Sequence, residues 1–219
     1  MQAALTAWTQ AIQTQAGNAL SAVILYGSAA RKESLDKYSD LNLLVVLKQA
    51  DLEQMAEIDE ATRKHLRGLR ASLVFWAEAE LKRAWDVFAL EFADIQASHQ
   101  CLLGKDPFRG RRADKKNLRF QLEFELRSKL LALRSNWLRF RNDRQALELY
   151  LRQAGKSLAY LIRQGQAVFP KLKALPPQAW QELTRLRESN VRPGKPELKR
   201  MFLALHEALS GAVRIIDAA

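Results

Sequence analysis

Hydrophobic and polar positions along this chain keep one rhythm in the first half and another in the second. Leu5, Trp8, Ile12 and Ala16 recur at helical spacing, and Gly17-Asn18 follows as a stop. Ala22 to Tyr26 is a short apolar run rich in strand formers and closed by Gly27, which predicts a buried strand. Leu41 to Leu47 is a second such run, interrupted only by Asn42. Leu52, Met55, Asp59, Thr62, Leu66 and Leu69 are three or four apart, so the spacing predicts a helix over 51–67. Ser72 to Trp76 reads as a third strand and Glu78 to Asp86 as a short helix. Phe88, Leu90 and Phe92 alternate, which predicts a fourth strand around 88–95. Strands alternating with helices describe a small mixed sheet.

After residue 110 the rhythm is helical throughout. Leu122, Leu126, Leu130, Leu133 and Trp137 form one stripe. Leu147, Tyr150, Leu151, Ala154, Leu158, Leu161 and Ile162 form a second, with Gly165 as its expected end. Pro176-Pro177 opens a third helix through about Glu188. Pro196 opens a last one, with Leu198, Met201, Phe202, Leu205, Leu209 and Val213 on one face. The expected fold class is therefore α+β: a sheet domain over 1–108, then a four-helix bundle over 114–219. The stretch from Gly104 to Arg112, punctuated by Gly, Pro and basic residues, is the expected linker.

Charge sharpens this division. The chain of 219 residues has 35 Lys and Arg against 24 Asp and Glu, a formal net charge of +11. Residues 1–110 have 12 cations and 14 anions, net −2, while residues 111–219 have 23 and 10, net +13. The excess belongs to the helical half and points to a polyanionic partner there. With 48% hydrophobic residues the chain is not globally disordered. Its longest purely apolar run, Leu43 to Leu47, is five residues, far short of a membrane span. No secretory pattern opens the chain, and Cys101 is the single cysteine, so a cytoplasmic protein without an internal disulfide is expected.

The segment with chemical content is Leu25-Tyr26-Gly27-Ser28, eleven residues, then Asp40-Leu41-Asn42 opening the second strand. Glycine lets backbone approach phosphate oxygens, and the Ser28 hydroxyl adds a donor. Asp40 and Asn42, at i and i+2, fall on one face of a strand, where their oxygens can serve a Mg²⁺ ion. At these residues the chain resembles the nucleotidyltransferase superfamily that includes DNA polymerase β, the kanamycin nucleotidyltransferases and the minimal nucleotidyltransferases. The stretch Ile24-Leu25-Tyr26-Gly27-Ser28-Ala29-Ala30-Arg31, followed by Ser39-Asp40, is similar to the minimal type. The resemblance covers about residues 3–110. It implies a nucleoside triphosphate bound with Mg²⁺ in a cleft between the domains, Gly27 and Ser28 on the phosphates, and Asp40 and Asn42 at the catalytic metal positions.

Two departures qualify that implication. The second acid of the family pattern is Asn42, and the third acid, expected between Ala71 and Trp76, is missing. Glu78 and Glu80 come too late, and Glu91 substitutes only if a strand over 88–95 passes beside Asp40. Two metal ions need several anionic ligands. An amide brings no charge and cannot act as a base. The expected outcome is a triphosphate cradle with nucleotidyl transfer weak or lost.

The remaining candidates have plainer alternatives. Arg31 and Lys32 follow the turn, either near phosphates or as solvated loop charges. Arg109, Arg111, Arg112, Lys115, Lys116 and Arg119 form either a solvated loop or the rim of a phosphate cleft. Arg127, Arg134 and Arg141 step by seven along one helix, facing a ligand or water. Arg200 and His206 match the spacing of helical ribonuclease domains of the HEPN class. With 21 arginines and three histidines, about one such pairing arises by chance. Six residues also turn a helix through roughly 240°, so the two side chains diverge. His65 and His99 lack a second ligand at metal spacing. Trp85 and Trp137 sit on apolar faces as core residues. The alternative function is a non-catalytic module whose basic helical half binds nucleic acid or an acidic protein.

Overall fold

The computed structural model describes residues 2–31, 41–172, 177–188 and 192–218. The chain divides into two compact units, Met1–Asp114 and Lys115–Ala219.

The first unit is built on a four-stranded mixed sheet. Its strands are β1 (Leu20–Tyr26), β2 (Leu41–Leu47), β3 (Ala71–Ala77) and β4 (His99–Gly104), in the order β3-β2-β1-β4. β1 is antiparallel to both neighbours, and β2 and β3 are parallel. The parallel pair requires a crossover, which α2 (Leu52–His65) supplies. Asp51 caps that helix, its side chain accepting from the Gln54 amide at 3.0 Å.

The central strands are covered on both faces, which explains their nearly unbroken apolar runs. On one face Val23, Leu25, Leu41, Leu43, Val45 and Leu47 pack with Trp8 and Ile12 of α1 (Gln2–Ala16) and Ile58 of α2. Trp8 is fully buried, and its indole N–H donates to the Thr62 hydroxyl at 2.8 Å. On the other face Ala22, Ile24, Leu44 and Val46 meet Leu81 of α3 (Glu78–Arg83), Phe92 and Ile95 of α4 (Ala89–Ala97), and Phe108. Phe92 centres an aromatic group there, with ring centroids 5.1 Å from Trp85 and 5.7 Å from both Trp76 and Phe108. Burying each such aliphatic or aromatic side chain contributes about 1.5–3 kcal/mol.

The expected strand at 88–95 is instead helix α4. Ala89, Phe92 and Ile95 are buried at three-residue spacing and Glu91 is exposed, so the helical period outweighs the brief alternation. Phe88, on which that alternation depended, is itself exposed. The fourth strand comes later, at His99–Gly104, and pairs with β1 as an edge strand. Its half-exposed residues give it little pattern of its own.

The second unit contains α5 (Lys115–Phe140), α6 (Arg144–Val168), α7 (Pro177–Glu188) and α8 (Lys195–Asp217). α8 packs against α5, α6 and α7. Leu122, Leu126, Leu130 and Leu133 of α5 are buried, as are Leu198, Met201, Phe202, Leu205 and Leu209 of α8. Trp137, half-buried, packs on Phe202 at 5.1 Å. Gly165 does not end α6, which runs on to Val168. A β-carbon at Gly165 would lie 3.2 Å from Leu122 and 3.3 Å from Leu172, so this glycine admits neighbouring side chains and leaves the helix intact. Among the described residues no helix is long and apolar enough to cross a membrane.

Candidate functional site

β1 ends at Tyr26, and the chain turns at once into a short 3₁₀ segment, Gly27–Arg31. Gly27 has φ +79°, a left-handed conformation that residues with a β-carbon adopt only at a cost. A β-carbon there would stand 3.0 Å from the Asn42 amide nitrogen. The turn is tied down from a third element. The Gly27 N–H donates to the Ser98 carbonyl at 3.2 Å, and the Ser98 hydroxyl donates to the Gly27 carbonyl at 3.3 Å. Buried Ala29 anchors the segment, while Ser28 is exposed. The Gly27 amide is therefore committed to structure, and the Ser28 hydroxyl is exposed beside it.

Strand register assembles the rest. Tyr26 pairs with Asn42 across β1 and β2, and Asn42 pairs with Ser72 across β2 and β3. Alternation puts all three on the face covered by α4. Burial raises the Tyr26 hydroxyl above its ordinary pKa, and the nearby Asp94 carboxylate adds to the rise. Tyr26 thus stays neutral and offers a hydrogen-bonding hydroxyl beside Asn42.

Of the expected site residues, the structure brings Gly27 and Asn42 into contact distance and leaves Ser28 exposed at the adjoining turn. Arg31 closes the 3₁₀ segment. Asp40 and Lys32 lie outside the described residues. Neither β2 nor β3 contributes a carboxylate, and the neighbour of Asn42 on β3 is Ser72. Glu80 serves as a cap, accepting from the Ala77 N–H at 3.1 Å, and Glu91 is exposed on α4. Among the described residues no three His, Cys, Asp or Glu side chains converge as a metal cage. Sequence reasoning missed Ser98, which ties down the turn, and Asp94, near the Tyr26 hydroxyl, because tertiary packing brings them there and leaves no local motif. Of the β3 residues between Ala71 and Trp76, register sets Ser72 beside Asn42.

The basic residues separate into different roles. Arg127 is paired with Glu123 and Asp217, and the Arg134 Nε donates to His206 Nε2 at 3.3 Å. Arg141 is exposed. Arg119 donates to the Ile216 carbonyl at 3.2 Å. Arg200 meets Glu182 at 2.9 Å, so the Arg200–His206 pairing has no shared site. His99 bridges the Asp106 carboxylate at 3.1 Å and the Ile95 carbonyl at 3.0 Å, which makes it a packing residue.

A solved structure shares this arrangement of sheet unit and helices. The fold is nucleotidyltransferase-like. The chain aligns with a spectinomycin adenyltransferase from Enterococcus faecialis, solved with ATP and spectinomycin, at a TM-score of 0.53. The match has 12% identity and covers 94% of this chain and 98% of the other. No family model and no curated protein matches the sequence. The nucleotidyltransferase-like fold thus comes with a sheet row, Ser72-Asn42-Tyr26, that has hydroxyls and an amide.

Proposed function

We propose that this protein binds a nucleoside triphosphate at the Gly27–Ser28 turn and transfers its nucleotidyl group weakly or not at all. The observation that carries the reading is Asn42 set between Tyr26 and Ser72, with no carboxylate from β2 or β3 beside it. The glycine turn, fastened by Ser98, supports phosphate recognition. The likeness of fold to an adenyltransferase solved with ATP agrees with it. In this reading Ser28 donates to phosphate oxygens. A single Mg²⁺, held weakly by Asp40 and Asn42, accompanies the triphosphate. Asn42, an amide where the family pattern has an acid, cannot take the proton of an attacking hydroxyl.

Calorimetry with ATP, GTP, CTP and UTP in the presence of Mg²⁺ or Mn²⁺ tests the reading. At least one nucleotide should give saturable heat. Ser28→Ala should weaken it by about 10- to 100-fold, the loss of one hydrogen bond to a charged group. No heat with any of the four refutes nucleotide binding. Asn42→Asp restores one acid, and Mn²⁺ affinity should rise about tenfold. An unchanged affinity would move the defect from Asn42 to the Ser72 position.

A further inference from the structure

A second cavity opens at the far end of the same sheet. It has a volume of about 360 Å³ and lies wholly within the first unit, against Ser21 and Ala22 at the start of β1. Ser21 and Gly27 stand at opposite ends of that strand, about 20 Å apart at ~3.3 Å per residue. None of the lining residues belongs to the Gly27–Ser28 turn or to the Ser72-Asn42-Tyr26 row.

Its wall combines two kinds of surface. Ala22, Val46, Leu81 and Pro107 supply an apolar side. Lys82, Lys105, Arg109 and Arg111 supply four cations, against the carboxylates of Glu78 and Asp106. Both carboxylates have other partners. Glu78 lies 3.8 Å from Lys82, and Asp106 accepts from the Phe108 amide at 2.9 Å and meets His99 at 3.1 Å. Lys105, Arg109 and Arg111 have no carboxylate partner among the described residues. Arg111 rests over the Trp85 ring, 5.4 Å from its centroid. The lining residues thus have a net charge of +2, inside a unit, residues 1–114, whose 14 cations and 15 anions leave it at net −1.

Two further features mark a formed site. Ser21 and Ala22, at the start of β1, form the floor where β4 meets β1. Gly104, at φ +76°, brings β4 so close to β1 that a β-carbon would fall 2.0 Å from the Ser21 carbonyl oxygen. The chain following Gly104 supplies the lining residues Lys105, Asp106 and Pro107.

We propose that this cavity is a second anion site, and that its ligand is a small organic phosphate with a compact apolar body. The volume is in the range of small-molecule pockets, which are largely apolar with a few placed polar groups. The cations suit a phosphate dianion, and the apolar side suits the body attached to it. A nucleic acid is disfavoured, because residues 1–114 together are net −1 and have no excess of cations beyond the cavity.

The test is calorimetry of the full chain with phenyl phosphate and with inorganic phosphate. Phenyl phosphate should bind saturably and about tenfold more tightly than inorganic phosphate, because the apolar side recognises the ring. The double substitution Lys105→Gln with Arg109→Gln, at exposed positions, should weaken phenyl phosphate at least tenfold and leave the circular dichroism spectrum unchanged. Ser28→Ala should leave phenyl phosphate binding unchanged. No saturable binding, equal binding to the double variant, or a loss on Ser28→Ala in its place would each overturn the proposal. Because the probe is not a nucleotide, its failure is read separately from a failure of triphosphate binding.

Discussion

Adding a β-carbon at three glycines of the first unit should cost three different amounts, and the ordering follows from what each methyl group meets. Gly68, Gly27 and Gly104 all have left-handed backbone, with φ of +83°, +79° and +76°. That conformation costs an L-residue about 1–2 kcal/mol. Restricting the unfolded chain returns about 0.4–1 kcal/mol. At Gly68 nothing lies within 4 Å of the new carbon, so Gly68→Ala isolates the backbone contribution, about 1 kcal/mol net. At Gly27 the carbon meets the Asn42 amide at 3.0 Å. A side chain can rotate away at about 0.5–1.5 kcal/mol, so Gly27→Ala should cost about 2 kcal/mol. At Gly104 the carbon falls 2.0 Å from the Ser21 carbonyl oxygen, inside the Ala22–Gly104 strand pairing. Backbone cannot rotate away, β4 must separate from β1, and the cost should reach about 3 kcal/mol or more. Urea unfolding followed by circular dichroism gives the three values. Hydrogen exchange at β1 amides localises the third. Asn42→Ala combined with Gly27→Ala should recover the side-chain share of the second. If Gly104→Ala costs no more than Gly68→Ala, the close approach of β4 to β1 is wrong, and with it the wall of the second cavity.

Two other perturbations probe the two cores. Thr62→Val removes the acceptor of the buried Trp8 N–H and should cost about 1–3 kcal/mol in urea unfolding, while Trp8→Phe added to that variant should cost little more on the hydrogen-bond account; additive losses would show that the bond contributes nothing. In the second unit the Glu148 carboxyl is held below its usual range, first by its hydrogen bond from Arg152 and then by Arg144. The unfolded chain therefore binds the proton more readily, so this stabilisation is present above the ordinary carboxylate pKa and is lost as pH falls through the depressed one. The stability gap between the native chain and Glu148→Gln should narrow as pH drops from about 7 towards 3, and a constant gap would refute the pairing.

The sequence by itself determined what is local and repetitive. The 3.6-residue stripes of α1, α2, α5, α6 and α8, and the apolar runs of β1 and β2, are legible because a doubly covered strand or an amphipathic helix imposes its period on every turn. The Gly27–Ser28 turn and the neutral residue at Asn42 were equally plain, since a motif of adjacent residues needs no fold to be seen. Tertiary structure decided what depends on pairing at a distance. An edge strand such as His99–Gly104, half exposed and taking its hydrogen bonds from β1, has no pattern that periodicity can catch. Alternation across Phe88, Leu90 and Phe92 misled for the converse reason, because three residues fit two periods and packing against the sheet chose the helix. Only register puts Ser72 and Tyr26 on either side of Asn42, and only the fold returns Ser98 to Gly27 after seventy-one residues. The basic stretch after Gly104 was visible as charge. That Arg109 and Arg111 join Lys82 and Lys105 around one cavity was not, because the link between them is the closure of β4 onto β1.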